Sequence, residues 1–397
     1  MDEEAPAAND SVDGVPARRT VRPESTEALA ALLTEGAAAG EAVVFVTGRS
    51  KLDWGRPPRQ LDAVVDLSAM ERVIEHAAGD LVVRTSASVR LAELNAELAR
   101  AGQRLAIDEV VPGTSIGGLI ATGLSGPLRH AFGSVRDLLL GITVVRADGR
   151  VARSGGRVVK NVAGYDLGKL FTGSFGTLGA ITEAWFRLHP LPAARRYLSA
   201  SWSEAESAAA TVRRVATSTA APAAVELGRD GRGPYAVTVL LEGSEASVAA
   251  RADQLEALTG ARFAAGAVPP EGFGSLPGDS TLKLTFAPGT LGPLLDHLDS
   301  SLAGLGGPGE GLVLRGAAGV GVLFLGAGPE VDLAPVLRAA REAATAAGGG
   351  AIVLRAPAGR RAGLDLYGPL PAPALQRAVK ASFDPGDRLA PGRFVAA

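Results

Sequence analysis

The sequence contains no cysteine among its 397 residues. Disulfide bonds, thiolate nucleophiles, and iron–sulfur clusters or zinc ions held by this chain's own thiolates are therefore excluded. Histidine is also scarce, with four residues, and we predict no metal site. If the protein takes part in one-electron chemistry, we expect the redox centres that pass single electrons to lie on a partner protein.

The sequence also lacks an excess of charge of either sign, with 40 basic and 42 acidic residues and a net charge of -2. No basic stripe interleaved with aromatic residues is present, so we do not expect a nucleic-acid partner. No stretch approaches 18 consecutive apolar residues without glycine or charge, which excludes a membrane-spanning helix. The acidic N-terminal residues lack the apolar core of a secretion signal. We therefore predict a cytoplasmic protein with a disordered acidic tail over residues 1–20, and any membrane association through partners.

Glycine, by contrast, is abundant, with 51 residues. The segment "VPGTSIGGLIATGLSGPLRHAFGSVRDLLLG" (residues 111–141) places five glycines between Gly113 and Gly126. Each glycine weakens a helix or strand by roughly 0.5–1 kcal/mol relative to alanine, so such a run marks backbone that bends sharply or approaches another group closely. Backbone N–H groups without side chains can donate to a diphosphate. The alternative explanation for this run of glycines is that glycine is simply common in the sequence as a whole.

The chain is long enough for two or three domains, and its pattern changes near residue 192, after Pro190 and Pro192. Residues 21–192 alternate between predicted helices and strands. Residues 193–397 predict an α+β domain, an antiparallel sheet covered by helices on one face, with an element order compatible with two related halves. The predicted helices are Glu204–Ala216, Ala246–Leu258, Leu291–Leu302 and Leu333–Ala347.

Two short motifs suggest other functions. Gly304–Gly309 fits G-x-G-x-x-G, but a predicted helix precedes it and a strand follows, the reverse of the dinucleotide-binding order, which favours a simple loop. Gly113–Gly117 fits the G-x-S-x-G turn of hydrolases, although Pro112 interrupts the strand that such a turn requires. A serine hydrolase with Ser115 as nucleophile therefore stays as a remote alternative. The histidines available to it are His130, His189 and His297.

Three stretches carry a resemblance to a known family. They are the glycine-rich segment, "KNVAGYDLGKLFTGSFGTLG" (residues 160–179) and "SFDPGDRLAPGRF" (residues 382–394). Residues 21–192 resemble the PCMH-type, or vanillyl-alcohol-oxidase-type, FAD-binding domain, and are similar to the FAD-binding E subunits of bacterial glycolate oxidases. The last stretch resembles the closing motif of that superfamily. The resemblance implies a cap domain over residues 193–397, from which 383–394 return to the flavin site.

The resemblance also implies which residues hold FAD. Two loops, around residues 47–51 and 112–118, would bind the diphosphate. Positions 161–166 would line the ring pocket, and positions 176–181 would approach the adenine or ribityl end. The implied cofactor-binding residues are Gly48, Arg49, Ser50, Lys51, Pro112, Gly113, Thr114, Ser115, Gly117, Gly118, Gly123, Gly126, Ser134, Asp137, Asn161, Gly164, Tyr165, Asp166, Gly176, Gly179 and Ile181.

Several positions depart from the family pattern. The first loop keeps only Gly48, and Ala390 stands where the closing motif usually has asparagine. The C-terminal half has a single histidine, His297, for which we favour a surface or interface role. Neither loop offers the histidine or cysteine that tethers flavin in this fold, so we predict a non-covalent FAD. His130 is the nearest imidazole to the loops in sequence.

The function implied by the resemblance is an FAD-dependent oxidoreductase that oxidises a 2-hydroxy acid by hydride transfer to the flavin. Arg355 and Arg393 are the candidates for binding the substrate carboxylate, because a guanidinium binds a carboxylate through two parallel hydrogen bonds. The catalytic base is not identified. The alternative is a non-catalytic, flavin-carrying or scaffold subunit. Implied partners are a small hydroxy acid, a second FAD subunit and an iron–sulfur subunit.

Overall fold

The computed structural model describes residues 11–157, 165–303 and 311–393. The chain divides into two compact units, with a boundary between Leu191 and Pro192. The first unit comprises Met1–Leu124, Ser134–Leu191 and Leu370–Ala397, and the second comprises Ser125–Gly133 and Pro192–Pro369.

The described residues alternate between strands and helices. The strands, numbered in chain order, are β1 (Ser11–Val12), β2 (Val15–Pro16), β3 (Arg19–Val21), β4 (Val43–Val46), β5 (Ala63–Asp66), β6 (Ile74–Ala77), β7 (Val82–Ser86), β8 (Gln103–Arg104), β9 (Leu139–Val145), β10 (Val151–Gly155), β11 (Ala180–Arg187), β12 (His189–Pro190), β13 (Ala194–Trp202), β14 (Ala224–Asp230), β15 (Tyr235–Gly243), β16 (Ala264–Gly266), β17 (Ser280–Thr285), β18 (Leu312–Gly316), β19 (Val322–Ala327) and β20 (Gly350–Arg355). The helices are α1 (Thr26–Ala39), α2 (Leu91–Ala99), α3 (Ile116–Thr122), α4 (Arg129–Phe132), α5 (Val135–Leu138), α6 (Leu167–Phe171), α7 (Ala205–Ala216), α8 (Glu245–Thr259), α9 (Leu291–Ser301), α10 (Leu333–Ala346), α11 (Ala358–Arg361) and α12 (Pro373–Phe383). None of the helices that the structure describes is both long and apolar enough to cross a bilayer.

Local sequence explains where the helices begin and end, as α1 illustrates. The Ser25 hydroxyl accepts a hydrogen bond from the N–H of Ala28 at 3.1 Å, which satisfies a donor that the first turn leaves unpaired. Gly40 ends the helix in the left-handed conformation with φ 68°. Leu29 and Leu33, four residues apart, are buried on one face. The helix therefore packs through a single apolar stripe.

The first unit is built on two main sheets. β3, β5 and β4 form a parallel three-stranded sheet, and β10, β9, β11, β7 and β6 form an antiparallel five-stranded sheet in that order. β5 is buried throughout, as expected for a central parallel strand. β9 and β10 pair as an antiparallel hairpin that turns around Asp148 and Gly149. Val46 is the last residue of β4 that pairs with β5, so the loop that follows β4 starts at Thr47.

The second unit contains one antiparallel eight-stranded sheet, with the order β16-β13-β15-β14-β18-β19-β17-β20. Each half of the sheet has the chain order β-α-β-β-α-β, and the two halves meet where β14 pairs with β18. Helices α8, α7, α9 and α10 contact one another in that order and cover the sheet. The predicted α+β class is confirmed, and all four helices predicted in this half form within two residues of their predicted bounds.

The structure corrects the predicted acidic tail. Residues 11–20 are ordered, and β1 pairs with β2. Val12 is fully buried in a cluster with Val44 and Val64. Apolar side chains beyond the acidic stretch therefore hold this segment on the first unit. Of the predicted tail, residues 1–10 lie outside the described residues.

Two segments also lie in a different unit from the one predicted. Ser125–Gly133 belongs to the second unit, because Leu128 packs with Tyr197 and Leu240 there. The return of the chain to the first unit starts at Leu370, before the predicted residue 383. The reason is α12, whose Phe383 packs edge-to-face on Phe171 with ring centroids 5.7 Å apart.

Candidate functional site

An open cleft in the first unit brings together residues that are far apart in sequence. Its empty volume is about 780 Å³, part of which is continuous with solvent. The walls come from residues 44–52, from 115–122, from 175–181 and from Arg393. Ten of the predicted cofactor-binding residues line it: Gly48, Arg49, Ser50, Lys51, Ser115, Gly117, Gly118, Gly176, Gly179 and Ile181.

The first loop of the cleft follows β4 and lies directly against the second loop. A side chain at Gly48 would place its Cβ 2.8 Å from the carbonyl oxygen of Gly113, so only glycine permits this approach. The Arg90 guanidinium donates a hydrogen bond to the same carbonyl. Arg49 adopts φ 53°, the left-handed region that glycine occupies more easily than other residues. A loop with one glycine thus still follows a glycine-like path.

Lys51 brings a buried cation into the cleft. Its side chain is 8% exposed, and Nζ donates to the hydroxyls of Thr114 at 2.8 Å and Ser50 at 3.0 Å. Burial lowers the pKa of the Lys51 ammonium to about 8, an effect that Arg90 reinforces and Glu109 opposes. Near neutral pH the ammonium is charged. Its two hydroxyl partners are neutral, and the Glu109 carboxylate offsets the effect of burial only in part. An anion in the cleft would stabilise the ammonium further.

Ser115 serves as the cap of α3. It is 3% exposed, and its hydroxyl accepts a hydrogen bond from the N–H of Gly118 at 3.2 Å. No histidine is among the described residues that line the cleft. The structure therefore gives Ser115 a capping role and offers the serine-hydrolase alternative no base. A Cβ at Gly118 would lie 3.1 Å from the Ser115 hydroxyl and 3.9 Å from Lys51 Nζ, so this position faces the cation.

The closing stretch of the sequence fixes the first loop from behind. Arg393 is 4% exposed. Its Nη2 donates to the carbonyl oxygens of Trp54 at 2.9 Å, Lys51 at 3.4 Å and Leu52. Ala390, at the position where the family usually has asparagine, adopts φ 45°, a left-handed conformation that asparagine tolerates better than alanine. The Nη2 group of Arg393 therefore hydrogen-bonds to the backbone of the first loop.

Comparisons with known proteins agree with this cleft. Residues 17–155 match the sequence profile of the family described as FAD binding domain. Residues 17–155 thus form an FAD-binding domain. The glycolate oxidase subunit GlcE of Escherichia coli (strain K12) is 36% identical over 154 residues, which cover 38% of this chain and 43% of that subunit. The mitochondrial D-lactate dehydrogenase [cytochrome] of Arabidopsis thaliana is 40% identical over 128 residues, which cover 32% of this chain and 22% of that enzyme. The matches span less than half the length of each relative.

Solved structures share the fold of the whole chain. A chitooligosaccharide oxidase aligns with a TM-score of 0.68, 16% identity, and coverage of 98% of this chain and 94% of the oxidase. An alkyldihydroxyacetonephosphate synthase aligns with a TM-score of 0.67, 16% identity, and coverage of 94% and 75%. Identities this low concern the fold alone. The family profile over residues 17–155 confirms the predicted resemblance to FAD-binding proteins and FAD as the cofactor.

Other residues predicted to contact FAD have local structural roles outside the cleft. The Asp137 carboxylate accepts hydrogen bonds from the backbone N–H of Ser134 at 2.8 Å and from its hydroxyl at 2.7 Å, which forms a capping box on α5. Asp166 caps α6 and pairs with Lys169 at 2.9 Å. Tyr165 is 92% exposed.

The remaining predicted positions divide into four groups. Pro112, Gly113 and Thr114 adjoin the cleft, and Thr114 holds Lys51. Gly123 ends α3, with φ 61°. Gly126 belongs to the second unit, and Asn161 and Gly164 lie outside the described residues, as does Gly304–Gly309.

The two candidates for binding the substrate carboxylate, Arg355 and Arg393, belong to different units of the protein. Arg355 is in the second unit, where it donates to the Thr281 hydroxyl at 3.2 Å and to the Gly278 carbonyl at 2.8 Å. Arg393 is in the first unit. His130 and His297 both belong to the second unit, and burial lowers the pKa of the His130 imidazole. Among the described residues no cluster of three acidic or histidine side chains is arranged to hold a metal ion.

Sequence reasoning missed two kinds of cleft residue. Ala121 and Thr122 line the cleft three and four positions after Gly118, and helical periodicity could have identified them. Phe175 also lines the cleft and adopts φ 55°. No local sequence pattern indicates this backbone conformation for a phenylalanine.

Proposed function

We propose that the protein is an FAD-dependent oxidoreductase of the glycolate oxidase E-subunit type, oxidising the CH–OH group of a 2-hydroxy acid. The observation that carries the proposal is Lys51, a buried ammonium beside a glycine-lined cleft in a domain that binds FAD. Relatives matched over the same region are named as a glycolate oxidase subunit and a D-lactate dehydrogenase.

The residues of the cleft suit the two chemical halves of the cofactor. Lys51 Nζ and the Ser50 hydroxyl would bind the diphosphate, and the absence of a side chain at Gly118 leaves room for it. Val44, Phe45 and Ile181 provide apolar wall that keeps water from a bound ring system. Arg393 holds the first loop in place through its carbonyl oxygens. FAD, when bound, supplies the hydride acceptor.

For the substrate, Arg355 is the remaining carboxylate candidate, because Arg393 donates to the backbone of the first loop. Arg355 keeps a planar guanidinium at the end of β20, partly exposed and anchored by Thr281 and Gly278. A carboxylate could take up the donors that these contacts leave.

The first experiment measures FAD retention in the full-length protein. Gly118→Val should lower flavin content at least about tenfold while leaving circular dichroism unchanged, because the new side chain would fill the space beside Lys51. Gly79→Val is the matched control, since a Cβ there meets no atom within 4 Å. Equal flavin content in the two variants would contradict the assignment of the cleft.

Gly117→Val is a less specific probe of the cofactor site. A Cβ at Gly117 would lie 3.1 Å from the Ala87 Cβ and 3.3 Å from its carbonyl oxygen, so a valine there also disturbs packing. Loss of flavin in that variant would not distinguish a cofactor contact from misfolding.

The second experiment tests turnover. Glycolate or D-lactate, added anaerobically to the holoprotein, should bleach the visible flavin absorbance if the isolated chain is an enzyme.

A second candidate function is a flavin-carrying subunit without turnover. Two observations favour it: the described residues that line the cleft include no histidine, and the sequence has no cysteine. In that case bleaching is absent, and purification from the native host recovers a second flavoprotein and a cysteine-rich iron–sulfur protein.

A further inference from the structure

Lys283 is a cationic side chain in the middle of β17, in the sheet of the second unit. Its neighbours along the strand, Leu282 and Leu284, are 0% exposed. Because side chains alternate between the two faces of a strand, Lys283 points to the face opposite these leucines. Phe324 on β19 and Ile352 on β20 lie directly beside it on that face. The lysine therefore projects between two apolar side chains.

The segment Ser125–Gly133 packs on the same face of the sheet. The register across β19, β18 and β14 puts Lys283 on the face of Ala224, which packs with Leu128 of that segment. Burial, reinforced by the nearby Arg129 guanidinium of α4, lowers the pKa of the Lys283 ammonium. Two positive charges thus approach each other on this face.

Arg355 adds another cation on the strand next to Lys283. Its guanidinium donates to the Thr281 hydroxyl at 3.2 Å and to the Gly278 carbonyl at 2.8 Å. Thr281 lies two positions before Lys283, so its side chain is on the same face, about 7 Å away along the strand. Lys283 and Arg355 therefore present their charges on one face, from adjacent strands.

Neither Lys283 nor Arg355 has an acidic partner among the described residues. Two acidic side chains of β14 on this face make other contacts: Glu226 accepts the N–H of Gly274 at 2.9 Å, and Asp230 pairs with Arg315 at 2.9 Å.

A ligand can reach both cations. Lys283 and Arg355 are partly exposed, and neither contributes to the described polar atoms that lack a partner and are shut off from solvent. A half-buried ammonium without a counter-ion costs free energy in the empty protein. An anion held between the two side chains would supply the missing charge, and an uncharged ligand would not.

We propose that Lys283, together with Arg355, binds the carboxylate of the hydroxy acid. This inference rests on the proposed oxidation of a 2-hydroxy acid and adds a residue that neither the sequence patterns nor the family resemblance indicates. Arg355 would offer the donors that Thr281 and Gly278 leave, and Lys283 Nζ would donate from the neighbouring strand.

Calorimetric titration of the FAD-loaded full-length protein with pyruvate tests the proposal. Pyruvate keeps the carboxylate of lactate but has no CH–OH group to oxidise, and pyruvamide is the uncharged control. We expect Lys283→Met to weaken pyruvate binding at least about tenfold, the effect of losing one charge-assisted hydrogen bond, and Lys283→Arg to restore most of it. Arg338→Met, which removes an exposed charge from α10 in the same unit, should leave the affinity unchanged.

Urea unfolding of the same variants separates ligand binding from a structural role. Because Lys283 has no acidic partner among the described residues, Lys283→Met should unfold at the same urea concentration as the wild type or at a higher one. A lower midpoint combined with wild-type affinity for pyruvate would show a structural lysine and overturn the proposal.

Three other results would also overturn it: no binding of pyruvate to the wild type, equal affinity for pyruvate and pyruvamide, or unchanged affinity in Lys283→Met. A failure of glycolate and D-lactate to bleach the flavin would count against the proposed turnover alone, because pyruvate binding does not require it.

Discussion

Lys380 and Asp384 form a buried ion pair one helical turn apart, with Nζ 2.5 Å from Oδ2. The Asp384 side chain is 0% exposed and the Lys380 side chain is 12% exposed. Nζ also donates to the carbonyl oxygens of Thr177 and Leu389, and the Asp384 carboxylate accepts the N–H of Leu389 at 2.7 Å. The pair therefore joins α12, the segment before β11 and the closing loop.

We predict that Lys380→Met lowers the free energy of unfolding by about 3 kcal/mol or more, because it leaves the Asp384 carboxylate buried without its cation. Lys169→Met is the control, since Lys169 pairs with Asp166 at the surface and should contribute at most about 1 kcal/mol. Urea unfolding of both variants measures the difference. Similar midpoints for the two variants would show that the Lys380 pair is not structurally important.

A second prediction concerns pH and Lys51. The pKa of Lys51 is lowered from 10.5 to about 8 in the folded protein. Between these values the unfolded chain binds more protons than the folded one, so the free energy of unfolding of the apoprotein should rise with pH across this window. Below about pH 8 both states are protonated and this contribution stays constant. In Lys51→Met the rise should be reduced, as urea titrations at several pH values would reveal. Parallel pH profiles would refute the prediction.

FAD should reverse the direction of this pH effect. If the diphosphate lies beside the ammonium, binding favours the protonated form of Lys51, so FAD affinity should fall as pH rises above about 8. The affinity of Lys51→Met for FAD should be weaker and nearly independent of pH in the same range. Flavin fluorescence titrations measure both.

The backbone of the first loop supports a third prediction. At Arg49, with φ 53°, replacement by glycine should give a protein about 1 kcal/mol more stable than replacement by alanine. Both changes remove the contact of Arg49 with Asp66 at 3.6 Å, so only the backbone differs. Arg22 is the matched control: it also lies 3.6 Å from Asp66, but its φ is not positive. There alanine should be the more stable replacement.

Fourth, we predict that acid precipitation releases FAD from the protein, leaving a colourless pellet and a yellow supernatant. The first loop contains no histidine and the chain no cysteine. His130 packs beside Gly319 in the second unit, where a Cβ on that glycine would lie 3.1 Å from Nδ1. His130→Ala should release FAD to the same extent. A yellow pellet from the wild type, with a flavin adduct on the peptide containing His130, would make this histidine a covalent anchor.

How far the sequence predicts the structure depends on whether the determinants are local. Helices α7 to α10 follow amphipathic patterns and form close to their predicted bounds. The loop of Gly48 and Lys51 is predicted to bind the cofactor from its family resemblance, and the structure places both residues on the wall of the cleft. Ser134 and Asp137 also carry a local pattern, S-x-x-D, which predicts the capping box that the structure has, whereas the flavin role that the family resemblance implies for them stays a prediction.

Non-local contacts account for what could not be predicted. Leu128 lies in a glycine-rich stretch of the first half, and only its packing on Tyr197 and Leu240 assigns it to the second unit. Arg393 had the chemistry of a carboxylate ligand in the sequence. In the structure its guanidinium donates to backbone carbonyl oxygens more than 300 residues earlier in the chain, and no sequence pattern identifies that contact.

The contacts that the closing segment makes with β4 and the first loop also affect when the FAD-binding unit can finish folding during translation. The N–H of Val43 bonds to the carbonyl of Arg388, the N–H of Ala390 bonds to the carbonyl of Val43, and Arg393 reaches the first loop. Since Arg388, Ala390 and Arg393 are synthesised after the second unit, the first loop lacks these contacts while the second unit is translated and can already fold. We therefore expect nascent chains stalled before Leu370 to bind no flavin, and cofactor loading to follow translation of the closing segment.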